Sequence, residues 1–407
     1  MNCICLVVDR LHSGYVGCYG NSWIATPALN RLAAEGFVFD QALVDGVRVE
    51  DTFVSLLTGS HVLERVSHPG KKGPTLPAIL GRNRIRSTLI SDDPRISRHP
   101  LAADFAELIE LEAPREPAMA EDVGETHLAG FFATAADWLS KASAPKAAGP
   151  FCLWLHTQGM AAAWDAPLEM REQYADEDEP PPAKSAEVPA LWLPEDYDPD
   201  ELLAISQAYA GQVSLLDLCL GGLLDLVRGF SLGGDTLVVL VSARGFPLGI
   251  HRSIGAVDNR LYGELVQVPW LMRFPDGLGA AARSQALVQP CDLAATLLEY
   301  WHIEAALPSA SGRSLLPVVR EEAAEVRQQA FLLGDDGEQA LRTPDWYLRR
   351  LKAASTADQT RLHHELYAKP DDRWEVNDVA DRCADIAESL ASVEWGEMIQ
   401  ASRAGRG

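Results

Sequence analysis

An aspartate at position 9 closes the apolar run Cys3–Val8, and its neighbour Arg10 is basic. A carboxylate in such a place can hold a cation, cap a helix or pair with a guanidinium. Buried carboxylates are normally paired, so an ion pair is the simplest expectation. Glu50, Asp51 and Thr52 form a second cluster at the start of a predicted helix. There, acidic side chains and threonine satisfy the free N–H groups of the first turn, and capping accounts for them without catalysis. His251 stands in the string Leu248-Gly-Ile-His251, and a solitary histidine is expected to be a hydrogen-bonded side chain, not a ligand. The cysteines, at 3, 5, 18, 152, 219, 291 and 383, include no Cys-x-x-Cys pair and no zinc-like spacing. Cys3, Cys5 and Cys152 lie in strand-like runs, where buried structural thiols are expected.

The elements that must position these groups are short apolar runs alternating with helical patterns. Strands are predicted at Cys3–Val8, Val38–Val44, Arg86–Ile90, Phe151–His156, Thr236–Val241 and Pro269–Phe274. Helices are predicted at Pro27–Glu35, with Thr26 as N-cap, at Thr126–Lys141, and over a long stretch from Pro199 to Arg228. Two of the spacers have the length of a βαβ crossover. The expected class is therefore α/β: a large, mostly parallel sheet covered by helices on both faces. Asp217 and Asp225 interrupt the apolar stretch from Glu201 to Arg228, which makes it a core-facing helix and not a membrane span. Past about residue 321 the texture changes to a strand pair in Glu338–Leu351, a strand at Leu362–Tyr367 and a terminal helix over Asp381–Ser402. The expected division is a main domain over 1–320 and a small α+β subdomain over 321–407.

With 35 Lys+Arg against 58 Asp+Glu, the 407-residue chain carries a net charge of −23. That excess repels phosphate backbones and anionic lipid, so neither nucleic acid nor a membrane is an expected partner. Much of the excess sits in one place. Glu169 to Glu201 holds twelve acidic residues against Arg171 and Lys184, together with six prolines, and is expected to be a solvated excursion spanning about 165–200. No basic segment precedes the first apolar run, so no signal peptide is expected, and the expected location is the cytoplasm.

The order of several short strings resembles the sulfatase family of the alkaline phosphatase superfamily. Leu6-Val-Val-Asp9, Gly17-Cys-Tyr-Gly-Asn21, Thr26-Pro27 with Arg31-Leu-Ala-Ala-Glu-Gly36, and Ser55-Leu-Leu-Thr-Gly59 carry the first half. Val268-Pro269 with Arg273-Phe-Pro275, Asp292-Leu-Ala-Ala-Thr-Leu-Leu298, Gly312-Arg-Ser-Leu-Leu-Pro317, Glu365-Leu-Tyr367 and Asn377-Asp378 carry the second. The resemblance implies a sulfate- or phosphate-ester hydrolase, with a nucleophile opening a Cys-x-Pro-x-Arg motif and a divalent cation on carboxylate and amide oxygens. This chain departs from that pattern. The nucleophile position holds Val49 and the helping arginine position holds Phe53. Asp9 is retained, but Arg10 stands where many members place a second aspartate. Ser242-Ala-Arg-Gly245 puts Ala243 and Arg244 where the later metal ligands fall. Ser91-Asp-Asp-Pro94 replaces a Gly-Lys-Trp-His string, and the later lysine falls near Ala256. His156 and His251 are retained.

A guanidinium cannot ligate a cation, so Arg244 is expected to fill the ion's place and pair with Asp9. The remnant pocket implied by the resemblance comprises Asp9, Arg10, Glu50, Asp51, His156, Arg244 and His251. The expected function is that of a catalytically degenerate member, a pseudoenzyme acting on an unidentified small molecule or protein by binding or assembly, with no cofactor. The alternative is a divergent metal-dependent ester hydrolase. In it Thr52 is the nucleophile, and Asp9, Glu50 and Asp51 hold one divalent cation such as calcium. The resemblance also implies that the acidic excursion follows a strand facing the cleft, where it would disfavour anionic esters.

Overall fold

The structure, a computed structural model, describes residues 1–70, 73–113, 116–144, 149–230, 232–257, 259–305, 307, 309, 311–351 and 363–393. The described residues form fourteen strands: β1 (Asn2–Asp9), β2 (Phe37–Ala42), β3 (Arg86–Ser91), β4 (Glu107–Glu110), β5 (Phe151–Thr157), β6 (Leu191–Trp192), β7 (Thr236–Arg244), β8 (Ser253–Ile254), β9 (Trp270–Arg273), β10 (Ala282–Val288), β11 (Ala330–Leu333), β12 (Gln339–Arg342), β13 (Trp346–Leu351) and β14 (His363–Ala368). Eight of them make one helix-flanked sheet in the order β10-β2-β9-β7-β1-β5-β3-β4. From β7 through β4 neighbouring strands run parallel, while β9 is antiparallel to both β7 and β2. β1 is buried along its whole length, as a central strand covered on both faces must be.

The chain divides into two compact units. One comprises Met1–Asp40, Leu80–Asp258 and Val268–Ser284; the other comprises Gln41–Ile79, Asn259–Gln267 and Gln285–Gly407. The chain passes between these two units several times, so no single cut of the sequence separates them.

In the first unit Ile4, Leu6 and Val8 of β1 join one apolar cluster with Leu153 and Leu155 of β5 and with residues of two helices. The helix His127–Ala142 supplies Phe131 and Ala135, and Pro199–Gly229 supplies Val213 and Leu216. Each fully buried leucine or phenylalanine contributes ~2 kcal/mol of transfer free energy. Thr126 is the N-cap of the first of these helices, accepting a hydrogen bond from Ala129 N, so the helix starts one residue later than predicted. The helix Pro27–Ala34 is capped differently. Thr26 occupies the N-cap position, but its Oγ1 accepts from Gly17 N at 2.9 Å, and the free N–H groups of Ala28 and Leu29 go to the Asp217 carboxylate at 2.9 and 2.8 Å. The Pro199–Gly229 helix has the length and composition to cross a membrane, yet fifteen of its residues are buried in this core.

The acidic excursion is less free than its composition suggests. Its carboxylates are largely exposed, but β6 pairs with β8, and Ala183 N bonds to Ala204 O of the long helix. Arg171, fully buried, donates to the carbonyls of Trp164, Ala183 and Ser185. The backbone is therefore pinned by a cation that no sequence pattern marks. Arg171→Ala is expected to cost ~2 kcal/mol locally, which is about 30-fold in the opened population. Limited proteolysis between residues 175 and 190 should accelerate accordingly; an unchanged cleavage rate would refute the anchor.

In the second unit β11-β12-β13-β14 form an antiparallel sheet whose Phe331, Leu341, Leu348 and Leu366 meet Ala387 of the helix Ala384–Ala391. Buried Arg349 pairs there with Glu338 and Glu365, under the Tyr262 ring at 3.5 Å. The predicted terminal helix is thus realised over Ala384–Ala391, and its residues from 394 to 402 lie outside the described residues.

Candidate functional site

Four adjacent parallel strands, β7-β1-β5-β3, end on the same side of the sheet. Their C-terminal ends bring Arg244, Asp9, His156 and the Asp92–Asp93 pair into one row, the place where open α/β sheets put their sites. The register between β1 and β7 slips at Val8/Asp9: Val8 faces Ser242 and Asp9 faces Arg244, so Ala243 is the extra residue of a bulge. The Ser242 hydroxyl lies 2.8 Å from Val8 O and 2.7 Å from Arg244 O and accepts from Leu11 N at 3.1 Å, which fixes that bulge. Bulges re-aim side chains, and this one sets Arg244 opposite Asp9.

The result is a forked ion pair. Arg244 Nε donates to Asp9 Oδ1 at 2.9 Å and its Nη2 to Oδ2 at 3.0 Å, with the carboxylate fully buried. Arg95 adds a third contact, Nη2 to Asp9 Oδ2 at 3.4 Å. Burial alone would raise the Asp9 pKa, but Arg244, Arg10 and Arg95 outweigh it and hold the carboxyl below its ordinary value. Gly159 packs against this strand end. A Cβ there would fall 2.4 Å from Val8 Cγ1 and 2.8 Å from Asp9 O, at a φ of +50°, so only glycine fits.

Arg10 turns away in a left-handed conformation, φ +64°, and is almost completely buried. Its guanidinium lies 5.7 Å from the Phe246 ring centre, and its Nη1 makes no hydrogen bond among the described residues. Its carbonyl accepts from Tyr209 Oη at 2.8 Å, and Tyr209 Oη in turn accepts from His12 N at 2.8 Å. Burial and then the charge of Arg244 push Arg10 down to about 9, so it remains a cation at neutral pH.

The remaining carboxylates are engaged. Asp93 caps the short helix Pro94–Ser97 through Arg95 N and holds the Arg95 guanidinium with Nε at 3.0 Å and Nη2 at 2.7 Å. Asp92 accepts from Thr157 Oγ1 at 2.9 Å and Gln158 N at 2.7 Å, and bonds His127 Nε2 at 3.0 Å. His156, fully buried, is pushed down to about 4 by burial and is therefore neutral. This sets a pH test. The unfolded chain takes up a proton below its ordinary value of 6.5, while the folded chain resists until about 4, so stability falls as pH drops through that window. The full loss is ~3 kcal/mol. His156→Gln should flatten the melting-temperature profile between those pH values. A variant profile parallel to that of wild type would contradict the assignment.

A divalent cation does not fit these residues. Calcium takes six to eight oxygen ligands, yet both Asp9 oxygens are held by guanidinium groups and Ala243 offers none. A divalent ion ~4 Å from one fixed guanidinium would meet ~8 kcal/mol of repulsion at an effective dielectric of about 20.

The other predicted residues sit on other elements. His251 is half-buried in the turn ahead of β8, whose partner is β6, and so does not close a strand of the main sheet; its resemblance to a pocket residue rested on order in the chain alone. Val49 to Phe53 belong to the second unit, on the helix Val49–Thr58. Val49 is its first residue and is buried, as are Thr52 and Phe53. The N-cap is Arg48, with no side-chain cap bond, so Thr52 does not cap this helix as expected: it lies one turn further in, and its N–H bonds to Arg48 O. Asp51 pairs with Arg65 at 3.1 Å, and burial raises its pKa. Glu50 is half-buried in the first turn. Sequence reasoning missed Arg95 and Tyr209. Asp93-Pro-Arg95, an N-cap, a first-turn proline and a cation, was the available signal for the former.

This fold, with its row of strand ends, is that of the alkaline phosphatase superfamily. The chain belongs to the sulfatase family, whose model matches residues 1–303. Among solved structures, it is similar to a protein captured with its substrate D-glucosamine-2-N,6-O-disulfate, at TM-score 0.77 and 19% identity over 98% of this chain and 97% of that one. It is also similar to the phosphonate monoester hydrolase of Agrobacterium radiobacter, at TM-score 0.71 and 16% identity over 99% and 95%. Among curated proteins, an N-acetylglucosamine-6-O-sulfatase of Bacteroides thetaiotaomicron is 33% identical over 116 residues. That match spans 28% of this chain and 20% of the relative's length.

Proposed function

We propose that this sulfatase-family chain has lost ester hydrolysis and acts by binding or assembly. The observation that carries this reading is the forked Asp9–Arg244 pair at 2.9 and 3.0 Å. Where family chemistry calls for a Lewis acid, a guanidinium supplies positive charge without lowering the pKa of a bound water or accepting a lone pair. Val49 offers no attacking atom and Phe53 no donor to a developing charge, and one such donor is commonly worth ~3 kcal/mol of barrier. The losses compound.

What the strand ends retain is charge. Arg10, Arg95 and Arg244 stand against Asp9, Asp92 and Asp93, formally balanced, and Arg10 Nη1, with no hydrogen bond among the described residues, is free to donate. A small anionic group, such as a sulfate ester, phosphate or carboxylate, is the ligand class that suits it. All seven cysteines are free thiols, which supports a reducing, cytoplasmic location.

The test is metal retention followed by anion binding. After incubation with calcium, manganese or zinc and dialysis, the protein should keep well under one equivalent of any of them at this site. Inorganic sulfate or phosphate should raise its melting temperature, and Arg10→Met should abolish that rise. One equivalent of a divalent metal, lost in Asp9→Ala, would sink the reading.

A further inference from the structure

Away from the strand-end row, Cys3 and Cys5 stand two residues apart on β1, so their side chains share one face of the sheet. Cys152 on β5 is the register partner of Cys3. The three Sγ atoms lie within 4.8 Å of one another, with Cys3 and Cys5 Sγ 3.4 Å apart. All three residues are fully buried or nearly so. We propose that Cys3, Cys5 and Cys152 form a three-sulfur site for one soft monovalent cation, of which Cu(I) is the biological example.

The geometry suits such an ion. Sulfurs arranged trigonally around a metal at ~2.3 Å lie ~4 Å apart, which this cluster reaches with shifts of well under an ångström. The ligands are soft, and soft thiolates select Cu(I) over oxygen-seeking ions. The neighbours in register on the same face are mostly apolar: Leu237 and Val239 of β7, beside Cys3 and Cys5, and Trp154 of β5, while the hydroxyl of Ser87 on β3, beside Cys152, already accepts from Ala106 N at 3.3 Å. Zinc would lack its fourth ligand.

Thiolates, not thiols, bind such an ion, so loading releases the protons of the coordinating thiols to solvent, and no oxidant is involved.

Because the cluster is sealed, the ion has to be offered both to the folded protein and during refolding. Under anaerobic conditions, Cu(I) buffered by a chromophoric chelator should transfer to wild type at one equivalent, with a thiolate-to-copper charge-transfer band. Cys152→Ala should weaken retention at least 100-fold, while Cys291→Ser, which removes a buried thiol elsewhere, should leave it unchanged. X-ray absorption of copper-loaded wild type should show a shell of three sulfurs, a readout that stands even if Cys152→Ala fails to fold. Failure of wild type to compete for Cu(I), retention indifferent to Cys152→Ala, a preference for zinc, or nitrogen and oxygen in the copper shell would each overturn the proposal.

Discussion

Arg244→Ala is expected to destabilise the protein by ~3–5 kcal/mol, because breaking a buried pair leaves an uncompensated charge. Asp9 is fully buried and its two best hydrogen bonds come from Arg244. Arg95 remains at 3.4 Å and Arg10 nearby, so the loss should fall toward the lower end of that range. The pH dependence gives the effect a signature. In wild type the folded-state pKa of Asp9 is depressed, so its contribution is fully present above the ordinary carboxylate value and is lost as pH falls through the folded one. In the variant burial acts unopposed by the fork and the Asp9 pKa rises, so acid relieves the buried charge. The gap in melting temperature between the two proteins should therefore be widest near neutrality and narrow below about pH 4. Asp9→Leu combined with Arg244→Met should recover most of the loss, since an apolar pair of similar volume replaces an ionic one. An unchanged melting temperature in Arg244→Ala would remove the ion pair from the account.

The second large effect is a gain. Ala243→Asp together with Arg244→Asn removes the guanidinium and places a carboxylate and an amide oxygen beside Asp9. The wild-type site offers a cation none of these freely, because both Asp9 oxygens are taken. The variant should be less stable than wild type in chelator, since the fork is gone. It should then respond to calcium. Sites with few carboxylates hold calcium with dissociation constants of about 10⁻⁴–10⁻³ M, and a ligand at one hundred times its dissociation constant stabilises by ~2.7 kcal/mol. Calorimetry in chelator and in ~10 mM calcium should show a rise in melting temperature for the variant and none for wild type. Equal responses would mean that the guanidinium does not decide whether a cation binds.

What could be read in the sequence follows from where each element lies in the sheet. β1, β5 and β7 are buried throughout and show as continuous apolar runs. β4 escaped notice because Glu-Leu-Ile-Glu is short, largely exposed and at the sheet edge, where neither face demands a pattern. β10 begins with alternately exposed polar residues and looks like a turn. The Asp9–Arg244 pairing was legible because the family resemblance places both residues at ligand positions of one implied cation site. Arg95 was not, since its reach depends on a turn that Asp93 caps. The capping of the Pro27–Ala34 helix lay further out of reach still: its cap is Asp217, 188 residues away from Leu29 in the chain. Thr26 stands at the predicted position, but a tertiary partner does the work assigned to its hydroxyl.

Two compact units also limit what a linear reading can divide. The family strings run in order along the chain, and the structure assigns Asp9, Arg10, Arg95, His156 and Arg244 to one unit and Val49 to Phe53 to the other. The proposed loss of hydrolysis thus rests on a guanidinium in the first unit and a valine in the second.

The most direct measurement is ester turnover by metal-saturated protein. Aryl sulfate and aryl phosphate esters, offered at high protein concentration with calcium, manganese or zinc, should be hydrolysed no faster by wild type than by Asp9→Ala or Thr52→Ala. Metal-dependent multiple turnover by wild type, abolished in either variant, would contradict the account and restore the divergent hydrolase in its place.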